Sequence, residues 1–335
     1  MAISAPLKLE NLRSFGWELF PVPPPALPDY LAKPEDQQTA IPLLAKRPGD
    51  LAPIEGWVQQ LPTTHRLLLG DSRRLLSDID VPVHLAVTSP PYWNLKQYPA
   101  GEGQLGNMDD YEAFLDSLDE VWRAVYERLV PGGRLVIVVG DVLLSRRQAG
   151  RHLVMPLHAS IQERCRKIGF DNLAPVIWYK IGNAAHEVEN GNSGFLGKPY
   201  EPNAVIKNDI EYILMQRKGE GYRKPTFAER VSSVIPADLH QQWFRQVWEL
   251  PGASTRNHPA PFPETLAERL IRMFSFVGDT VLDPFMGSGT VAVAAASWGR
   301  NSIGIEVNPE YHAASIARLR VHGFRQLVPV TVVTD

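Results

Sequence analysis

Short apolar runs alternating with stretches of helical periodicity limit this chain to a narrow set of architectures. Leu67-Leu68-Leu69, Val83-His84-Leu85-Ala86-Val87 and the run from Leu135 to Val139 are apolar on successive residues, not on every second one. A strand of that kind is covered on both faces, as in a parallel sheet lying between helices. Between them, Tyr111, Phe114, Leu115, Leu118, Val121, Trp122, Val125 and Leu129 recur by threes and fours. That spacing predicts a helix over 109–129, stopped by Pro131-Gly132-Gly133, with a strand at 135–139. The pattern continues with a helix near 154–168, strands at 174–179 and near 210–216, and a helix over 264–276 behind Pro263. Strand 279–283, helix 289–298, strand 302–307 and helix 309–321 follow. The class is α/β, a mostly parallel sheet flanked by helices.

Two intervals break the alternation. Residues 1–60 carry Pro21, Pro23, Pro24, Pro25, Pro28, Pro34, Pro42, Pro48 and Pro53, which predicts an extended N-terminal arm with one short helical piece. Residues 181–209 and 217–250 are rich in Gly, Asn, Pro and cations, with Trp243, Phe244 and Trp248 interleaved. The expected division is a Pro-rich arm over 1–60, one half of the main domain over 61–180 and an inserted region over 181–250. The second half follows over 251–325, then a C-terminal strand or tail over 326–335. A chain of 335 residues accommodates this as one large domain with insertions.

Composition narrows the function. Apolar residues at 44% and charged residues at 21% are those of an ordinary globular protein. No apolar run approaches the roughly 20 residues that span a bilayer, and the N-terminus lacks the basic start and apolar core of a secretory signal. The expected location is cytoplasmic, with no membrane. A single cysteine, Cys165, excludes an internal disulfide, and nine scattered histidines without ligand spacing predict no metal. Cations flank Cys165 and would favour a thiolate; a partly buried or surface thiol is the plainer reading. Net charge is −3, yet residues 142–256 hold sixteen Lys/Arg against eleven Asp/Glu. That polarity suits a protein with one side facing nucleic acid.

Two loops carry the chemistry. Thr88-Ser89-Pro90-Pro91-Tyr92-Trp93 follows a predicted strand. Its two prolines stiffen the backbone and remove two N–H donors, leaving an edge of hydroxyl and carbonyl acceptors beside an aromatic ring. Such an edge can hold an exocyclic amine while the ring stacks on its base. Far downstream, Val281-Leu282-Asp283-Pro284-Phe285-Met286-Gly287-Ser288-Gly289-Thr290 reads as strand, glycine loop and helix start. Gly287 and Gly289 let backbone approach a ligand closely, and Phe285 offers a ring. The spacing is neither G-x-G-x-x-G nor a phosphate loop. Glu306, ending the next strand, stands where a ribose acid belongs in nucleotide-type folds.

Together these segments resemble the amino-methylating DNA methyltransferases that use S-adenosylmethionine. The loop order matches the permuted beta class, and the resemblance covers most of residues 61–325. It implies a Rossmann-like methyltransferase fold whose inserted region recognises the target. It implies catalysis at Ser89, Pro90, Pro91 and Tyr92, and cofactor binding at Asp283, Phe285, Gly287, Gly289, Glu306 and Asp71. Asn257-His258-Pro259 resembles the family's segment that cups the methionine end, which adds His258 and Pro259. No cysteine adjoins the prolines, which disfavours C5-cytosine chemistry. Ser at the first loop position leans to cytosine N4 in the family, and Asp to adenine N6. The expected reaction is methylation of a flipped cytosine at N4, with N6-adenine as the alternative. More distant alternatives are methylation of a non-DNA amine or amide, and an inactive DNA-binding module. The expected partner is double-stranded DNA, with a cognate restriction endonuclease and a homodimer left open. Phosphates are assigned to Arg146, Arg147, Arg151, Lys198, Arg217, Lys218, Arg223 and Lys224, and base edges to Asn183, Asn190, Asn192, Gln241 and Gln242.

Overall fold

A computed structural model of the chain describes residues 15–31, 37–93, 101–180, 208–252 and 262–321. Its strands are β1 (His65–Leu69), β2 (Val83–Thr88), β3 (Leu129–Val139), β4 (Val142–Leu144), β5 (Leu153–Met155), β6 (Phe170–Tyr179), β7 (Ile210–Lys218), β8 (Val247–Glu249), β9 (Thr280–Asp283) and β10 (Asn301–Glu306). Its helices are α1 (Gln37–Ala45), α2 (Pro48–Val58), α3 (Ser72–Leu75), α4 (Tyr111–Arg128), α5 (Arg146–Ala149), α6 (Leu157–Ile168), α7 (Phe227–Ser232), α8 (Ala237–Trp243), α9 (Glu264–Phe274), α10 (Thr290–Ser297) and α11 (Pro309–Val321).

Eight strands form one sheet in the order β1-β10-β9-β2-β3-β7-β6-β8. Every neighbouring pair is parallel except those of β7, which runs antiparallel to β3 and β6. Leu85 and Val87 belong to a core with Leu266, Leu270 and Ile271 of α9 and Val291 of α10. Val83 and Ala86 belong to the opposite core, with Leu118, Val121 and Trp122 of α4. Helices on both faces explain why β2 is apolar at successive positions. Asp110 caps α4, accepting from the Ala113 N–H at 2.7 Å.

The topology fixes where a ligand can sit. From β9 the chain crosses through α10 to β10 on one side, and from β2 through α4 to β3 on the other. The adjacent strands β9 and β2 therefore straddle the point where strand order reverses, and a crevice opens beyond their carboxyl ends.

Three expectations need correction. The N-terminal arm holds two α-helices, with Pro42 inside α1 and Pro53 inside α2. Each proline costs about 3 kcal/mol in a helix interior. Burial outweighs it, because Leu44, Leu51, Ile54, Trp57 and Val58 pack with Trp17, Leu31, Phe227, Val231 and Val277 in a separate core. The third strand begins at Leu129, not Leu135, and contains Pro131-Gly132-Gly133. The β2–β3 register shifts there, between Val83 and Leu85, and a Cβ on Gly133 would lie 2.8 Å from the Val130 carbonyl oxygen. Lastly, the described part of 217–250 extends the fold: β8 pairs with β6, α7 joins the arm's core, and the buried Trp248 donates Nε1–H to the Trp243 carbonyl at 2.8 Å.

Cys165 is buried on α6, and burial pushes its thiol up, opposite to the direction of the flanking cations. Among the described residues no helix is long and apolar enough to cross a membrane, and no group of three or more His, Cys, Asp or Glu is arranged to hold a metal.

Candidate active site

Two loops separated by nearly two hundred residues leave the sheet side by side. Thr88, the last residue of β2, donates its hydroxyl to Asp283 Oδ1 of β9 at 2.7 Å. The same Oδ1 accepts the Phe285 N–H at 3.1 Å. One buried carboxyl thus sets the start of both loops. On the first, Ser89 is half-buried while Pro90, Pro91, Tyr92 and Trp93 are buried. Trp93 adopts φ 45°, a left-handed conformation that costs a bulky residue about 1–2 kcal/mol. Its ring, 5.1 Å edge-on from Tyr111, lies in the α4 core and holds the turn.

The second loop is tied to its surroundings through backbone. The Met286 N–H reaches the Ile305 carbonyl at 2.9 Å. The Gly287 N–H donates to Glu306 Oε2 at 2.7 Å, and the Asn308 N–H to Glu306 Oε1 at 2.9 Å. The Gly70 N–H caps the Glu306 carbonyl at 2.9 Å, and the Ser72 hydroxyl donates to the Pro284 carbonyl. Glu306 is therefore a hub for three loops as well as a cleft residue. Gly287 holds φ 53°. Gly289, at φ 80°, meets a different demand: a Cβ there would lie 2.8 Å from Ser315 Cβ on α11.

Ser89 and Pro91 of the first loop share one cleft with Phe285, Gly287 and Glu306. Asp71 completes its acidic wall, and the volume is about 610 Å³ including the open mouth. Asp71 also caps α3 and pairs with Arg73 at 2.6 Å, so a turn role and a cleft position coexist in one residue. Pro90, Tyr92, Asp283 and Gly289 do not line the cleft, and Ser89 Oγ stands 3.5 Å from the Tyr92 hydroxyl. His258 and Pro259 lie outside the described residues.

Sequence reasoning missed Ser72, Gln104, Leu105 and Tyr311, which also line the cleft. Tyr311 carried a signal: it sits one turn into the helix after Glu306. Gly304 was missed too. A Cβ there would fall 2.2 Å from Met286 Sδ, so it seats the second loop from below.

The electrostatics favour a cation. Burial pushes the Asp283 carboxyl up to about 7, further raised by the charge of Glu306 and opposed by the Thr88 and Phe285 donors. Burial raises Glu306 as well, against the N–H groups of Asn308 and Gly287. A carboxyl raised on folding contributes stability that is complete below its ordinary pKa of 3.8 and is lost as pH rises through about 7. Asp283 therefore imposes a downward slope of melting temperature on pH between about 4 and 7, opposed by His65, whose imidazole burial holds down to about 4. Asp283→Asn keeps an acceptor for Thr88 and should flatten that slope; an unchanged slope in calorimetric scans refutes the assignment.

The basic residues divide by location. Arg146 and Arg147 are exposed on α5, which follows the carboxyl end of β3 and so lies toward the cleft end of the sheet. Arg151 is exposed nearby. Arg217, Lys218 and Arg223 are not brought there. Arg217 is opposite Arg134 in the middle of β3 and pairs with Asp171 at 2.8 Å. Lys218 Nζ donates to the Tyr126 and Leu129 carbonyls at 2.9 Å, capping α4. Arg223 is clamped by Asp279, just before β9, with Lys224 exposed beside it. Their charge serves the far end of the sheet. Gln241 and Gln242 are exposed at the end of α8, while Lys198, Asn183, Asn190 and Asn192 lie outside the described residues.

A doubly wound sheet whose reversal point carries a glycine loop, two acids and a Pro-Pro edge is a setting for a nucleotide-type ligand. The chain belongs to the N6/N4 DNA methylase family, whose model matches residues 83–317. It is 38% identical over 275 residues to the type II methyltransferase M.MjaI of Methanocaldococcus jannaschii, covering 73% of this chain and 88% of that protein. It is 35% identical over 273 residues to the type II methyltransferase M.MthZI of Methanothermobacter thermautotrophicus, covering 74% of each. Among solved structures, a DNA modification methylase of Thermus thermophilus, TTHA0409, crystallised with S-adenosyl-L-methionine, is 51% identical. That match has a TM-score of 0.66 and covers 81% of this chain and 99% of that one. The PvuII cytosine-N4-specific DNA methyltransferase shares the fold at 23% identity and a TM-score of 0.55, over 77% of this chain and 88% of that one. These neighbours have the Rossmann-like methyltransferase fold expected from the sequence.

Proposed function

We propose that this protein transfers a methyl group from S-adenosylmethionine to the exocyclic N4 of a cytosine flipped out of duplex DNA. The observation that carries the reading is the single cleft walled by Ser89 and Pro91 on one side and Phe285, Gly287 and Glu306 on the other. The residues fit the cofactor: Asp71 and the buried Glu306 line the cleft and suit its positive charge, and glycine backbone suits close approach. When bound, the cofactor supplies an electrophilic methyl carbon on a sulfonium. Asp71 and Glu306 are the acids for its nucleoside part, with Phe285 against the adenine. His258 and Pro259 are assigned to its methionine end.

The chain's own work concerns the nucleophile. An exocyclic amine is weak because its lone pair is delocalised into the ring. Ser89 Oγ and the Pro90 carbonyl accept its two N–H bonds and favour a pyramidal nitrogen. Pro90 and Pro91 hold those acceptors in advance, so little reorganisation accompanies reaction. Tyr92 stacks on the base after a rotation out of its buried position. A flipped base is required because the amine inside a duplex cannot enter the cleft. Arg146 and Arg147 contact phosphates beside the mouth, and residues 181–209 read sequence. The relatives M.MjaI and M.MthZI are type II methyltransferases, which supports a place in restriction–modification with a cognate endonuclease.

Cytosine is preferred over adenine because Ser, not Asp, occupies position 89. Unmodified plasmid DNA incubated with methyl-tritiated cofactor should yield labelled N4-methylcytosine on nucleoside analysis. Labelled N6-methyladenine would transfer the reading to adenine, and no incorporation into DNA would overturn it.

A further inference from the structure

A second concavity lies at the end of the sheet opposite the cleft. It is walled by α1, Gly132 and Arg134 of β3, residues 222–241 and the end of α9, and it measures about 1740 Å³ including its open side. Lys46, Arg134, Arg223, Arg230 and Arg272 line it, with no Asp or Glu among the described lining residues. Two of these charges are answered from behind the wall. Arg223 pairs with Asp279 at 2.6 Å, and Arg272 with Glu55 at 2.6 Å and Glu268 at 3.3 Å.

The other three are not answered. Among the described residues Lys46, Arg134 and Arg230 have no carboxylate partner, and the Arg230 side chain reaches only the Pro225 carbonyl, at a long 3.4 Å. Arg134 is the telling case. Its Nε is buried and donates to nothing, while its guanidinium lies 4.8 Å from the Phe274 ring centroid. Across the strand pair it stands opposite Arg217, another cation. An unsatisfied buried donor costs about 1–3 kcal/mol, and like charges directly opposite add to that cost. Asp171 offsets Arg217, so the open need is that of Arg134, whose side chain lines the groove, where an anion would pair with its charge. A guanidinium fork suits phosphate oxygens in two parallel hydrogen bonds. Phe274, Phe276, Val234 and Ile235 give the same groove an apolar floor.

We propose that this groove is a second binding site, for a small phosphorylated anion. It is separate from the catalytic cleft: no residue lines both, and Arg134 lies across from Leu85, three residues or about 10 Å along the strand from Thr88. The site calls on no residue of the cleft, so it stands whether or not the methyl acceptor is cytosine.

Inorganic pyrophosphate is the probe. Calorimetric titration of the full-length protein at low salt should show saturable one-site binding. Arg134→Met keeps the aliphatic stem and should weaken binding about tenfold or more, equivalent to roughly 1.4 kcal/mol. The exposed pair Lys46→Gln with Arg230→Gln should weaken it similarly, with methyl transfer unchanged in the absence of pyrophosphate. Absence of binding, or equal binding by all variants, overturns the proposal. Competition by S-adenosylmethionine would assign the anion to the cleft, and displacement by a 20-base-pair duplex would assign the groove to DNA backbone. Either result would also overturn it.

Discussion

Ser89→Ala should lower single-turnover methyl transfer by about 10²–10³-fold while leaving S-adenosylmethionine affinity within about twofold. The substitution removes one hydroxyl from a half-buried position on the cleft wall and imposes no backbone strain. Its 3.5 Å contact to the Tyr92 hydroxyl is too long to be structural, so folding should be unaffected. What disappears is an acceptor aimed at an N–H that must pyramidalise. Rapid-quench measurement of the chemical step and calorimetry of cofactor binding separate the two effects. Loss of cofactor affinity equal to the loss of rate would mean that Ser89 belongs to the cofactor half of the site.

Gly287→Val should show the opposite division, with cofactor binding weakened by about 100-fold or more and DNA binding retained. At φ 53° a β-branched residue is strained by about 1–2 kcal/mol, and its methyl groups would project from a residue that lines the cleft. The Gly287 N–H also holds Glu306 Oε2, so movement of this backbone disturbs the acid assigned to the ribose. Gly287→Ala serves as the milder variant, strained but smaller, and should fall between wild type and Val. Wild-type affinity in a folded Val variant would remove Gly287 from the cofactor site.

The central sheet was legible because its signals are local. The helix anticipated over 109–129 forms at Tyr111–Arg128, and β9, α10, β10 and α11 form within about one residue of their expected bounds. Apolar runs and threes-and-fours spacing depend little on the rest of the chain. The arm misled because proline propensity is also local, whereas what decides there is burial of Trp57 and Ile54 against Phe227 and Val277. The basic residues misled for a related reason. Sequence counts charge but does not reveal that Asp279 neutralises Arg223, or that Lys218 caps a helix through a carbonyl 92 residues before it. The same blindness hid Arg134, which no motif singles out and which has no carboxylate partner among the described residues.

Strand order has a consequence for biosynthesis. β1 is made early, yet its neighbour in the sheet is β10, which lies more than two hundred residues later. The edge formed by Leu67 and Leu68 therefore waits, unpaired, until nearly all of the polypeptide has left the ribosome. β9, which slots between β2 and β10, arrives just before. Assembly of this kind is slow and exposes sticky edges meanwhile. A messenger truncated before codon 280 would accordingly yield inclusion bodies in place of a partly competent enzyme.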